Sequence, residues 1–77
     1  MNKLQEQEIL TALGQRIKSE RLKKGLKQVE LAKSCKMEKA SLSRIESGKT
    51  NVTLRTLNNL ATALEVAFLD LFKHGES

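Results

Sequence analysis

The chain has no proline, tryptophan or tyrosine, and only two phenylalanines and one cysteine in 77 residues. Each shortage excludes something. A single cysteine, Cys35, cannot close an internal disulfide, which agrees with a reducing compartment. With aromatic residues nearly absent and no sustained apolar/polar alternation, strand signals are weak. No apolar run is long enough to span a bilayer, and no apolar, small-residue-ended segment stands at the start. A soluble, cytoplasmic protein with no membrane partner is therefore expected. There is no low-complexity tract, internal repeat or Gly/Ser linker, so residues 1–77 are read as one domain with a single core. His74, the one histidine, stands in a polar tail without metal-ligand companions and is expected to be exposed and idle. The carboxylates have no second group with which to form a catalytic pair. Nucleophile elbow, phosphate loop and zinc spacing are all missing. The chain is read as no enzyme, with no catalytic residue, no metal and no cofactor.

What is present in excess is positive charge, and it is concentrated. The formal net charge is +5. Between Gly14 and Asn51 stand eleven Lys and Arg against four Glu, a net +7, while each flank carries −1. A localised basic surface is the electrostatic footprint of a phosphate-backbone binder. A solvated, soluble face has the same charge sum, so charge alone does not decide.

Apolar residues recur at helical spacing. Ile9, Leu10, Leu13 and Ile17 form one stripe, continued by Arg21, with Gly25 as a natural C-terminal stop. A second helix is expected from about Gln28 to Cys35 with Leu31 and Ala32 inward. A third runs from about Lys39 to Ser47 with Leu42 and Ile45 inward, ended by Gly48. Thr53 is placed to cap a fourth, whose stripe is Leu54, Leu57, Leu60, Ala61 and Leu64. A short fifth, about residues 67–73, carries Phe68, Leu69, Leu71 and Phe72. The expected fold class is all-α, a compact domain of five helices.

Helices two and three, separated by a tight turn, carry the most specific signal. The stretch from Lys27 to Asn51, KQVELAKSCKMEKASLSRIESGKTN, opens on Gln28, has a small residue at Ala32 where the two helices would touch, and places Ser43 and Arg44 on the second. It resembles the helix-turn-helix of the Cro and lambda-repressor type, the XRE family, with the motif at about 28–47. The resemblance extends from about Gln15 to Phe72 through LKQVELAKS, LSRIESGKTN and LRTLNNLATALEV, three segments in the expected order. This chain departs from the family pattern at four points: Lys27 in place of a capping Thr or Ser, Lys36 in place of the turn glycine, Glu38 in place of the next cap, and Val52 in place of a common proline.

The resemblance implies a sequence-specific DNA-binding transcriptional regulator, a repressor or a protein similar to the small restriction–modification controllers. Its partner would be a pseudo-palindromic operator in double-stranded DNA, bound by a homodimer. By position, Glu38, Lys39, Ala40, Ser43 and Arg44 are the base-contact candidates. Lys27, Gln28, Ser47, Lys49 and Asn51 are the phosphate-contact candidates, with Gln28 also bracing the recognition helix. Arg or Lys prefers guanine O6 and N7, and Ala40 suits a thymine methyl. Arg21 follows Ile17 at i+4 and Glu46 follows Leu42 at i+4, so both charges face the core side and are expected to pair as a structural salt bridge. The resemblance puts Leu71 and Phe72 in the core, leaving Phe68 and Leu69 as dimer-interface candidates. Alternative readings are an antitoxin that binds both its operator and a toxin protein, and an interaction adaptor that does not bind DNA. Cys35 reads as a half-buried residue closing helix two.

Overall fold

Helix ends, more than helix propensity, explain how this chain divides. The structure is a computed structural model that describes residues 2–73; His74 lies outside the described residues. The elements are α1 (Lys3–Lys23), α2 (Gln28–Ser34), α3 (Lys39–Glu46), α4 (Leu54–Leu64) and a 3-10 helix (Phe68–Phe72). Asn2 begins α1 with a reciprocal capping box. Its side chain accepts from the Gln5 N–H at 2.8 Å, and the Gln5 side chain accepts from the Asn2 N–H at 3.2 Å. Thr53 caps α4 by accepting from the Thr56 N–H at 3.1 Å. Lys27 precedes α2 and has no acceptor to offer. Glu30 supplies the missing partner instead, accepting the Lys27 N–H at 2.7 Å.

All four α-helices end in one way. The residue after the last turn takes a left-handed conformation, and the next N–H bonds back to a carbonyl five residues earlier: Leu26 to Arg21, Met37 to Ala32, Lys49 to Arg44 and Val66 to Ala61. The left-handed residues are Gly25, Lys36, Gly48 and Glu65, with φ of 71°, 55°, 72° and 60°. Glycine suits this conformation; lysine and glutamate adopt it against a steric penalty.

The fold is all-α with no strand among the described residues, but the five-helix count is not matched. The fifth element closes with i→i+3 bonds, from the Asp70 N–H to Ala67 O and from the Lys73 N–H to Asp70 O. So short a segment has little cooperative helix energy to hold a wider turn. The tighter winding also re-aims its side chains. At three residues per turn, Phe68 and Leu71 share one side and Leu69 and Phe72 the other. Leu71 is accordingly buried and Phe68 packs partly against the core, whereas Leu69 and Phe72 are 72% and 44% exposed. The core position expected for Phe72 is thereby corrected, while Phe68, an interface candidate, packs partly against the core of its own subunit. The two rings meet edge to face with centroids 5.3 Å apart.

Ile17, Leu31, Leu42, Leu60, Leu64 and Leu71 are the large, fully buried side chains, drawn from all five elements. The expected stripes shorten at their N-terminal ends. Ile9 is 46% exposed and Leu54, the first residue of α4, is 70% exposed. Gly14 sets the approach of α1 to α3. A Cβ there would stand 2.3 Å from Ile45 O and 2.6 Å from Glu46 O, both backbone atoms. Only a glycine lets the two helices pack this closely.

Candidate nucleic-acid interface

The short α3 has one face buried and one free. Leu42, Ile45 and Glu46 are buried. Lys39, Ala40, Ser43, Arg44 and Ser47 are exposed, and at about 100° per residue they fall within one arc of about 140°. Glu38, just before the helix, is also exposed and its side chain makes no capping hydrogen bond. Lys49 and Asn51 follow in the loop, both exposed. The structure therefore leaves all the base-contact candidates and the later phosphate-contact candidates exposed, on α3, at its N-terminal end and in the loop that follows it. A narrow polar cleft, lined by Arg44, Thr50, Asn51, Thr53 and Thr56 among others, runs beside it. Ser47 differs from its neighbours, since its hydroxyl already donates to Ser43 O at 2.9 Å and to Arg44 O at 3.2 Å.

Behind this face lies a buried polar cluster that holds α3 in place. Arg21 Nε donates to Glu46 Oε2 at 2.7 Å and Arg21 Nη2 donates to Glu46 Oε1 at 3.0 Å. The two-point geometry fixes orientation as well as distance. Arg21 Nη1 donates to Leu26 O at 2.8 Å, so the same guanidinium also ties down the loop from α1 to α2. Gln28 Nε2 donates to Glu46 Oε1 at 2.9 Å. One carboxylate thus joins α1, α2 and α3. Gln28 is half-buried and uses one of its two amide hydrogens on this bond, while Lys27 is exposed.

The turn between α2 and α3 is sealed by small and medium side chains. Ala32 is buried between the helices, and Met37 and Cys35 pack against the core from either side of Lys36. Cys35 Sγ lies 3.6 Å from Asn59 O. Burial pushes its thiol above the ordinary value, which disfavours the reactive thiolate. Phe68 and Leu69 lie in the terminal 3-10 helix, which packs on α1 and α4. No group of three metal-capable side chains gathers among the described residues. No helix among them is long and apolar enough to cross a membrane.

Two contacts escape a reading of the sequence, the close approach at Gly14 and a bond from Gln7 to Gly48 O at 2.9 Å, and for Gln28 the resemblance implied a brace without naming Glu46 as its partner. For Gly14 a signal exists, since a glycine inside an apolar helical stripe marks close backbone packing. Gln7 carries none, because its partner is 41 residues away.

Comparison with known proteins agrees with this architecture. A helix-turn-helix family profile matches residues 17–71. A hypothetical transcription factor from Neisseria meningitidis serogroup B is 32% identical over 66 residues, which is 86% of this chain; the chain spans 62% of that relative's length. Among solved structures, the restriction-modification controller protein C.AhdI from Aeromonas hydrophila superposes with a TM-score of 0.80 at 36% identity, covering 82% of this chain and 96% of that one. The hypothetical transcription factor NHTF from Neisseria superposes with a TM-score of 0.84 at 30% identity, covering 91% of this chain and 80% of that one. With the matched residues enclosing both helices of the motif and the core that carries them, the chain belongs to the helix-turn-helix family, of the XRE type.

Proposed function

We propose that this protein is a sequence-specific DNA-binding transcriptional regulator, cytoplasmic, that acts as a homodimer on a two-fold symmetric operator. One observation carries this reading: the outer face of α3 presents Lys39, Ser43 and Arg44 to solvent while Arg21, Gln28 and Glu46 pin its inner face. A helix so held is rigid on one side and free to enter a major groove on the other. Arg44 and Lys39 would donate to guanine edges, Ala40 would pack on a thymine methyl, and Glu38 would accept from a cytosine amino group. Lys27, Lys49 and Asn51 would meet phosphates. Gln28 would reach a phosphate with the amide hydrogen that Glu46 leaves free, and Ser47 would have to turn its hydroxyl outward to do the same.

The whole described chain serves as one domain in this account, with the 3-10 helix at its association surface. Leu69 and Phe72 are the outward apolar side chains there, and Phe72 lines an apolar groove with Ile9 and Ala12. The likeness to a restriction-modification controller protein and to a hypothetical transcription factor supports a regulatory role.

The test is the salt dependence of binding to duplex DNA, followed by fluorescence anisotropy. Engaging about six phosphates would weaken binding about a thousandfold between about 50 and 200 mM salt. A folded protein that binds no duplex at about 50 mM salt would contradict the proposal.

A further inference from the structure

The N-terminal half of α1 lies outside the residues matched by the family profile, yet it reaches the loop that follows α3. Gln7 Nε2 donates to Gly48 O at 2.9 Å and also to Thr11 Oγ1 at 3.1 Å. Gly48 is pressed against the same turn of α1: a Cβ on it would stand 2.9 Å from Thr11 Cα and 3.0 Å from Thr11 Oγ1. On the other side of this peptide unit, the Lys49 N–H donates to Arg44 O at 3.0 Å. Both polar groups of the Gly48–Lys49 peptide are therefore held, the carbonyl by α1 and the N–H by α3. Beyond it, among the described residues, no backbone N–H from Thr50 to Thr53 bonds to a backbone carbonyl. This is the last anchored peptide before the exposed loop, and its plane sets the direction in which Lys49 and Asn51 leave the body of the domain.

We infer that Gln7 is a positioning residue for DNA binding: it fixes the Gly48–Lys49 peptide so that Lys49 and Asn51 stand ready for the phosphate backbone. The inference rests on the DNA-binding reading above and adds to it a residue that touches no DNA. Its physical basis is preorganisation, because a loop already ordered in the free protein loses less freedom on binding. Gln7 is exposed and contributes no apolar burial, so its loss leaves the core intact.

The experiment compares Gln7→Met, close in length but without a donor, with the wild-type protein and with Lys49→Ala and the double variant. Affinity for duplex DNA is measured across a salt series. Gln7→Met is expected to weaken binding about three- to tenfold, the worth of one hydrogen bond. It should also flatten the log–log salt slope by up to about 1. In the Lys49→Ala background its effect should shrink, since one of the two contacts it prepares is already gone and only that of Asn51 remains. Amide hydrogen exchange of the free protein gives a second readout, in which Gln7→Met should speed exchange at Lys49. Wild-type binding with unchanged affinity and slope for Gln7→Met would overturn the inference alone. So would an undiminished effect in the Lys49→Ala background, or unchanged exchange at Lys49. A wild-type protein that binds no DNA would overturn the DNA reading and this inference with it.

Discussion

Glu46 ties α3 to both α1 and α2, and its removal should be felt throughout. Its carboxylate is almost fully buried and accepts from Arg21 twice and from Gln28 once. Glu46→Ala would leave the Arg21 guanidinium buried without its counter-charge, a loss of about 3–5 kcal/mol. In a domain of this size that lowers the melting temperature by roughly 15–30 °C. Replacing both partners by apolar residues, Arg21→Met with Glu46→Leu, should recover most of the loss, since no charge is then stranded. Thermal denaturation of the three proteins checks both outcomes; a single variant within about 1 kcal/mol of wild type would argue that water reaches the pair. Lys36 makes the opposite case. Its left-handed backbone at φ 55° is a penalty with no compensating hydrogen bond from its side chain among those of the described residues. Lys36→Gly should stabilise the domain by about 1 kcal/mol, read as a higher urea midpoint. An unchanged or lower midpoint would contradict that view of the turn.

At the scale of elements, α3 separates support from recognition by its two faces, so variants on each should fail differently. Arg44→Ala should leave melting nearly unchanged and relax base preference at one position of the site, with a loss of about 1–3 kcal/mol for the preferred base. Lys49→Ala should weaken binding to all sequences about equally and reduce the salt slope by about 1. Binding measured on a panel of single-base operator variants distinguishes the two; equal behaviour of both variants would contradict the division. How far these elements could be read in advance follows from the physics of each. Period and punctuation placed α2, α3 and α4 within a residue or two, because Gln28, Gly48 and Thr53 act through local geometry. The outward set Lys39, Ala40, Ser43, Arg44 also follows from period alone. The terminal element could not be read so well. Whether five residues wind as α or 3-10 depends on what they pack against, and that choice turned Phe68 inward and Phe72 outward. Long-range polar bonds, such as Gln28 to Glu46, have no periodic signature at all.

The described residues extend 33 × 26 × 18 Å, with the positive excess on the segment from Gly14 to Asn51, which carries the second half of α1, α2, α3 and the following loop. One such domain reads only a few base pairs, and a second copy supplies both specificity and spacing. The apolar surface of the 3-10 helix, with Leu69 at 72% exposed and Phe72 at 44%, is where association is proposed. Leu69→Glu should therefore shift sedimentation from dimer toward monomer without lowering the melting temperature of the subunit, and should weaken operator binding while sparing weak binding to random DNA. A Leu69→Glu protein that remains dimeric would move the interface elsewhere. The central claim, that the outer face of α3 reads a symmetric DNA site, is tested most directly by selecting binding sites from a randomised duplex library with the purified wild-type protein at near-physiological salt. The account predicts enrichment of a two-fold symmetric sequence with half-sites about 34–36 Å apart. A folded protein that enriches no sequence would contradict it.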